Sequence, residues 1–164
     1  MMKYLMVLLF VMTGMVMQQS NISEARKLYN KAAENEKAAR SLLELSENEE
    51  LKDPVVLGYK GAGHMMMAKH VGNPFKKMSH FNKGKDIFSS AIAADKQNLE
   101  LRFLRFAVQA EAPAFLGYRD NLEEDKALLI AGVDTLEDKE LQKMILNYLK
   151  ASKGLTAAEK EKLK

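Results

Sequence analysis

Proline stands at only three positions, 54, 74 and 113, and the stretches between keep apolar side chains three and four residues apart. No run of strand length alternates apolar with polar residues, so the spacing predicts an all-α chain with no sheet. From Ser23 to about Leu51 the sequence is rich in Ala, Leu, Glu and Lys and lacks Gly and Pro, which predicts one long first helix. Asp53-Pro54 then supplies a cap and a first-turn proline for a second helix to about His70, and Gly72-Asn73-Pro74 repeats that punctuation.

A third helix is expected from Phe75 to Lys96, with Phe81, Gly84, Phe88, Ala91 and Ile92 on its buried side. A fourth covers Leu99 to Glu111, and Pro113 opens a turn that ends at Tyr118. Asn121 is placed to cap a fifth helix through Gly132 or Val133, and Asp134 or Thr135 to start a sixth. There Leu141, Met144, Ile145, Tyr148 and Leu149 form one apolar stripe. Gly154 ends it, and Thr156 with Glu159 makes a capping box for a short terminal helix. The expected architecture is thus about six helices in an irregular stack of helical hairpins.

Ahead of these helices, Met1-Met2-Lys3 leads into an apolar run from Tyr4 to Met17, broken only by Thr13 and Gly14 and followed by Gln18-Gln19-Ser20-Asn21. About 14 apolar residues suit a signal peptide better than a membrane span, which takes roughly 20. Residues 1–19 are therefore expected to be a signal peptide and 20–164 a single helical domain, exported to the periplasm or secreted without a stable membrane anchor. No Ala-x-Ala precedes the polar exit, and Val16, Met17 and Gln18 are not the small residues that signal peptidase prefers. With no cysteine in the chain, lipid attachment, disulfides and thiolate chemistry are all excluded.

Without Lys3, the 25 basic residues become 24 against 22 acidic ones, a net charge of +2. That balance offers no electrostatic case for nucleic acid. No residue pattern calls for a cofactor. His64 and His70 stand about 240° apart around a helix and His80 lies on another, so the histidines are expected at the surface or its edge and not in a metal site. Met65, Met66 and Met67 cannot all face one point, and with Gly58, Gly61 and Gly63 beside them they are expected to fill a closely packed core. The glycines match neither phosphate-loop pattern, and Glu49-Glu50 and Glu123-Glu124 fit helix ends better than catalytic carboxylates.

Two internal likenesses stand out. Pro54-Val-Val-Leu-Gly-Tyr-Lys60 parallels Pro113-Ala-Phe-Leu-Gly-Tyr-Arg119, which leaves duplication and coincidence both open. The segment Gly84-Lys-Asp-Ile-Phe-Ser-Ser-Ala-Ile-Ala-Ala-Asp-Lys-Gln-Asn-Leu-Glu100 resembles the second helix and exit loop of a tetratricopeptide repeat. Gly84 stands at the family's small position, Phe88 at its aromatic one and Ala91 at its close-packing alanine, while Lys96 replaces the usual proline. The preceding helix does not align at the family's 34-residue period, because the third helix is too long. The resemblance implies a helical binding scaffold without catalysis. The chain as a whole is also similar to short exported helical proteins of bacteria, which implies no particular activity.

The candidate site lies in Leu99-Glu-Leu-Arg-Phe-Leu-Arg-Phe-Ala-Val-Gln109. Arg102, Arg105 and Gln109 fall at i, i+3 and i+7, one polar stripe on an otherwise apolar rod. Buried guanidinium groups need acceptors, for which Glu111, Asp120 and Asp125 are available within the chain. Alternatively the stripe lines a groove, grips a partner's carboxylate and uses Tyr118 as a flanking aromatic. The function expected on the second view is a non-catalytic protein- or peptide-interaction module, with Arg102, Arg105, Gln109 and Tyr118 as its binding residues. A small-ligand carrier, an enzyme with a dispersed site and a structural envelope protein remain open alternatives, as does the oligomeric state.

Overall fold

The computed structural model describes residues 21–47 and 53–163. The expected signal peptide lies outside them. The described residues form eight α-helices and no strand: α1 (21–32), α2 (Glu36–Glu47), α3 (Pro54–His70), α4 (Pro74–Ala94), α5 (Leu99–Glu111), α6 (Leu122–Gly132), α7 (Lys139–Ala151) and α8 (Ala157–Lys160). They divide into two compact units after Gly84.

In the first unit the expected single helix from Ser23 is two. Asn35 accepts a hydrogen bond from the Ala38 backbone N–H at 3.1 Å, so its side chain starts a new helix at the cost of continuing the old one. Asp53 caps α3 through Val55 N–H at 2.7 Å, and Asn73 caps α4 through Lys76 N–H at 3.1 Å, as the Pro-preceded pattern predicts. The core gathers Ala32, Ala39, Leu42, Tyr59, Ala62 and Met65. Tyr29 meets Tyr59 edge to face with ring centres 6.1 Å apart. His70 Nε2 donates to the Ala32 carbonyl at 2.7 Å, tying the end of α3 to the end of α1.

Glycines set how closely these helices approach. A β-carbon at Gly63 would sit 3.2 Å from the Leu43 Cα, and one at Gly84 would sit 2.9 Å from the Gly61 carbonyl oxygen. Met65 and Met67 are buried beside them, as close packing requires.

The second unit packs around α5, whose Leu101, Phe103, Leu104 and Phe106 are all buried. The stripe of α7 turns Leu141, Ile145 and Leu149 into the core, while Tyr148 donates to the Ala107 carbonyl at 3.1 Å. Asn121 precedes α6 but makes no side-chain capping bond, and Glu123, Glu124 and Asp125 occupy the first turn instead. The helix expected from Asp134 or Thr135 starts later, at Lys139. Residues Val133–Thr135 form a 3-10 turn, and Asp138 caps through Glu140 and Leu141 N–H groups, both at 3.1 Å. The Thr156–Glu159 capping box is present, and Lys126 bonds Glu159 at 3.0 Å, which ties α8 to α6.

The paired segments at Pro54 and Pro113 differ in conformation. The first opens α3, whereas the second forms a 3-10 turn, Ala114–Leu116, closed by Gly117 in the left-handed region at φ 58°. Gly58 is buried within α3, so the shared letters serve unlike backbones.

Gly84→Ala should lower unfolding free energy by about 1–3 kcal/mol, because backbone at the Gly61 carbonyl cannot yield as a side chain would. Gly72→Ala, with nothing within 4 Å, should shift it by less than about 0.5 kcal/mol. Urea denaturation of both variants checks the contrast.

Candidate functional site

Burying α5 on nearly all sides forces Arg102 and Arg105 inward, and α6 answers with Asp125, shared by both, and with Glu124 on Arg102. Arg105 grips Asp125 side-on, Nε to Oδ2 at 2.6 Å and Nη2 to Oδ1 at 2.7 Å. Arg102 Nη1 reaches the same Oδ1 at 2.8 Å and Glu124 Oε1 at 2.9 Å, while its Nε donates to the Lys96 carbonyl at 2.8 Å. Burial opposes the Arg102 charge, but the hydrogen bonds and charge of Asp125 and Glu124 outweigh it and raise its pKa above the ordinary value. Asp125 is the acceptor that the sequence offered; Glu111 and Asp120 take no part in these bonds.

The expected groove along this stripe is closed. Arg102, Arg105, Gln109 and Tyr118 are each at most 8% exposed, so the four side chains cannot together present a surface to a peptide. Arg105 and Asp125 lie within electrostatic reach of the Tyr118 hydroxyl, and burial above all pushes its pKa up to about 12. Gln109 is fully buried, and neither its Oε1 nor its Nε2 has a hydrogen-bond partner among the described residues. The cluster therefore satisfies its own charges and fixes α5 against α6.

Two other features carry more chemical potential than spacing along the chain revealed. His64 is buried, not at the surface, and its Nδ1 lies 2.9 Å from Nδ1 of His80. Such a contact needs one ring to donate and the other to accept. Burial, then His80, Lys83 and Lys60, lower the His64 pKa to about 4; burial, Lys83 and Arg40 lower that of His80. The two rings sit 16 positions apart on different helices, beyond any local motif. No group of three metal-ligating carboxylates and histidines occurs among the described residues.

The second feature is the turn between α3 and α4. Between Asp53 and Asp86 the sequence holds six lysines, all three histidines and no carboxylate, an asymmetry hidden inside a near-neutral total. Residues 72–79 are exposed without exception, including Phe75 at 86% and Met78 at 46%. Lys69, Lys76, Lys77 and Lys83 form no ion pair among the described residues. Counting acids between lysines would have exposed this feature in the sequence. By contrast, a crevice between Ala25, Ser46, Val56 and Tyr59 has a volume of only about 10 Å³, room for one water.

Comparison with known proteins finds no matching family model, no matching curated protein and no matching solved structure.

Removing the shared acceptor should be far more damaging than removing its exposed neighbour. Asp125→Ala leaves the buried Arg105 without its carboxylate and Arg102 with only the exposed Glu124, and should cost about 3–5 kcal/mol, whereas Glu124→Ala, at a side chain 55% exposed, should cost under about 1 kcal/mol. Chemical denaturation at neutral pH reads both. The histidine pair predicts an acid-sensitive first unit. Its neutral His64 is favoured by folding, whereas the unfolded chain takes up a proton near 6.5, so stability is full above that pH. It should fall by about 3 kcal/mol as pH drops from 6.5 towards 4 and then level off. Urea titrations at several pH values should show this slope in the parent and only the smaller part due to His80 in His64→Gln.

Proposed function

We propose that the chain is an exported, non-catalytic interaction module that meets its partner through the tip formed by the end of α3 and the start of α4. The observation that carries this is Phe75, standing 86% exposed beside a half-exposed Met78 in a stretch with no buried residue. Large apolar side chains grouped on a surface favour removal from water, and flanking lysines that form no ion pair among the described residues add an electrostatic bias. Arg102 and Arg105 support the same choice of face by elimination, since Asp125 already occupies both.

The apolar run Tyr4 to Met17 supports export, and the periplasm or exterior follows from cleavage behind it. Intact mass of the chain recovered from the envelope or medium tests that part: loss of about 18 or 19 residues is expected, and retention of Met1 refutes it. The interaction surface is tested with a photoreactive benzoylphenylalanine in place of Phe75 or Met78, irradiated in the native envelope fraction. Adducts are expected from both positions and not from the exposed control position Asp120. Equal labelling from all three would refute the assignment of this face.

A further inference from the structure

Resting on that choice of surface, we propose that the partner is an anionic phospholipid interface, into which Phe75 and Met78 insert while Lys69, Lys76, Lys77 and Lys83 engage lipid phosphates. Three properties of the tip favour a bilayer over a folded protein. Residues 72–79 are exposed all round the first turns of α4, so an occupant must surround the helix, which a fluid interface does and a rigid surface does not. Phe75 projects 86% exposed rather than lining a groove, whereas peptide recognition by helices relies on grooves. Lys69, Lys76, Lys77 and Lys83 form no ion pair among the described residues and no carboxylate lies between Asp53 and Asp86, so no side chain of the tip itself repels a negatively charged surface.

The arrangement is one of peripheral attachment. No described helix is long and apolar enough to cross a membrane. Phe75 and Met78 stand three apart on one side of α4, while Lys76 and Lys77 flank them on the other, which lets the apolar pair sink as the ammonium groups stay at headgroup level. Asn73 and Pro74 fix the start of the helix through the Asn73 cap on Lys76 N–H at 3.1 Å, so the inserting turn is already formed. Each lysine near an anionic leaflet contributes about fivefold to partitioning, which makes two lysines worth roughly 25-fold.

Vesicle co-sedimentation tests the proposal, using the chain as exported, with its amino terminus defined by mass. Vesicles of phosphatidylcholine alone are compared with a two-to-one mixture of phosphatidylcholine and phosphatidylglycerol. Partitioning should be at least about tenfold stronger to the anionic vesicles and weaken as salt is raised. Lys76→Glu/Lys77→Glu should reduce it by at least about 25-fold, and Phe75→Ser/Met78→Ser by about tenfold or more. Lys143→Glu/Lys150→Glu, of equal charge change on exposed positions of α7, should leave it within about twofold. All six positions are exposed, and circular dichroism confirms that each variant is folded. Equal partitioning to both vesicle types, or tip variants that bind as the parent does, would overturn the lipid proposal. Tip-specific photo-adducts to protein without anionic-vesicle binding would also overturn it while leaving the interaction surface intact; adducts independent of the tip would overturn both.

Discussion

Asp125 makes the second unit possible. A helix with Leu101, Phe103, Leu104 and Phe106 facing several directions is stable only if buried on most sides, and such burial carries Arg102 and Arg105 out of water with it. One carboxylate in the first turn of α6 meets both, with Oδ1 shared and Oδ2 given to Arg105. An aliphatic replacement of the whole triad would satisfy the same volume without the desolvation cost; the ion pairs instead dictate which turn of α6 faces which turn of α5. Packing elsewhere in that unit, including Gly132 against Leu99, then follows from a register already determined.

Helix type was legible throughout, and several boundaries were legible to the residue. Pro54 and Leu99 open helices because Asp53 and Asn98 offer side-chain oxygens to N–H groups that have no other partner. Where two caps compete the outcome was less legible. Asn35 interrupts a run whose composition is helical from end to end, and Asp138 prevails over Asp134 for α7 because the intervening turn tightens to 3-10 geometry. The paired segments at Pro54 and Pro113 show the limit of local likeness: equal letters at Gly58 and Gly117 occupy a helix interior and a left-handed turn.

The candidate site was legible in its chemistry and not in its direction. That Arg102 and Arg105 share a face follows from helical spacing, and that they need an acceptor follows from burial; whether the face looks inward depends on α6, which no local pattern reports. The His64–His80 contact is hidden for the same reason, since it joins two helices across the turn at residues 71–73. The lysine-rich tip escaped for a different one. Net charge averages over the chain, and the 22 acidic residues outside positions 54–85 cancel an asymmetry that is complete within that stretch.

Basic groups thus follow opposite rules at the tip of the α3–α4 hairpin and in the α5–α6 cluster. In the second, each buried guanidinium has a carboxylate, so its charge is neutralised within the fold and has little field left for a partner. In the first, carboxylates are absent between Asp53 and Asp86 while Lys69, Lys76, Lys77, Lys83 and Lys85 are exposed. The histidines share this setting: burial first, and then the charges of Lys60, Lys83 and Arg40, disfavour an imidazolium and lower both pKa values. A carboxylate placed on this hairpin to improve stability would accordingly do two things at once, pairing a lysine and raising the histidine pKa values. Leaving it out keeps the outer charges available and sets nothing against the burial that disfavours charge on the inner pair.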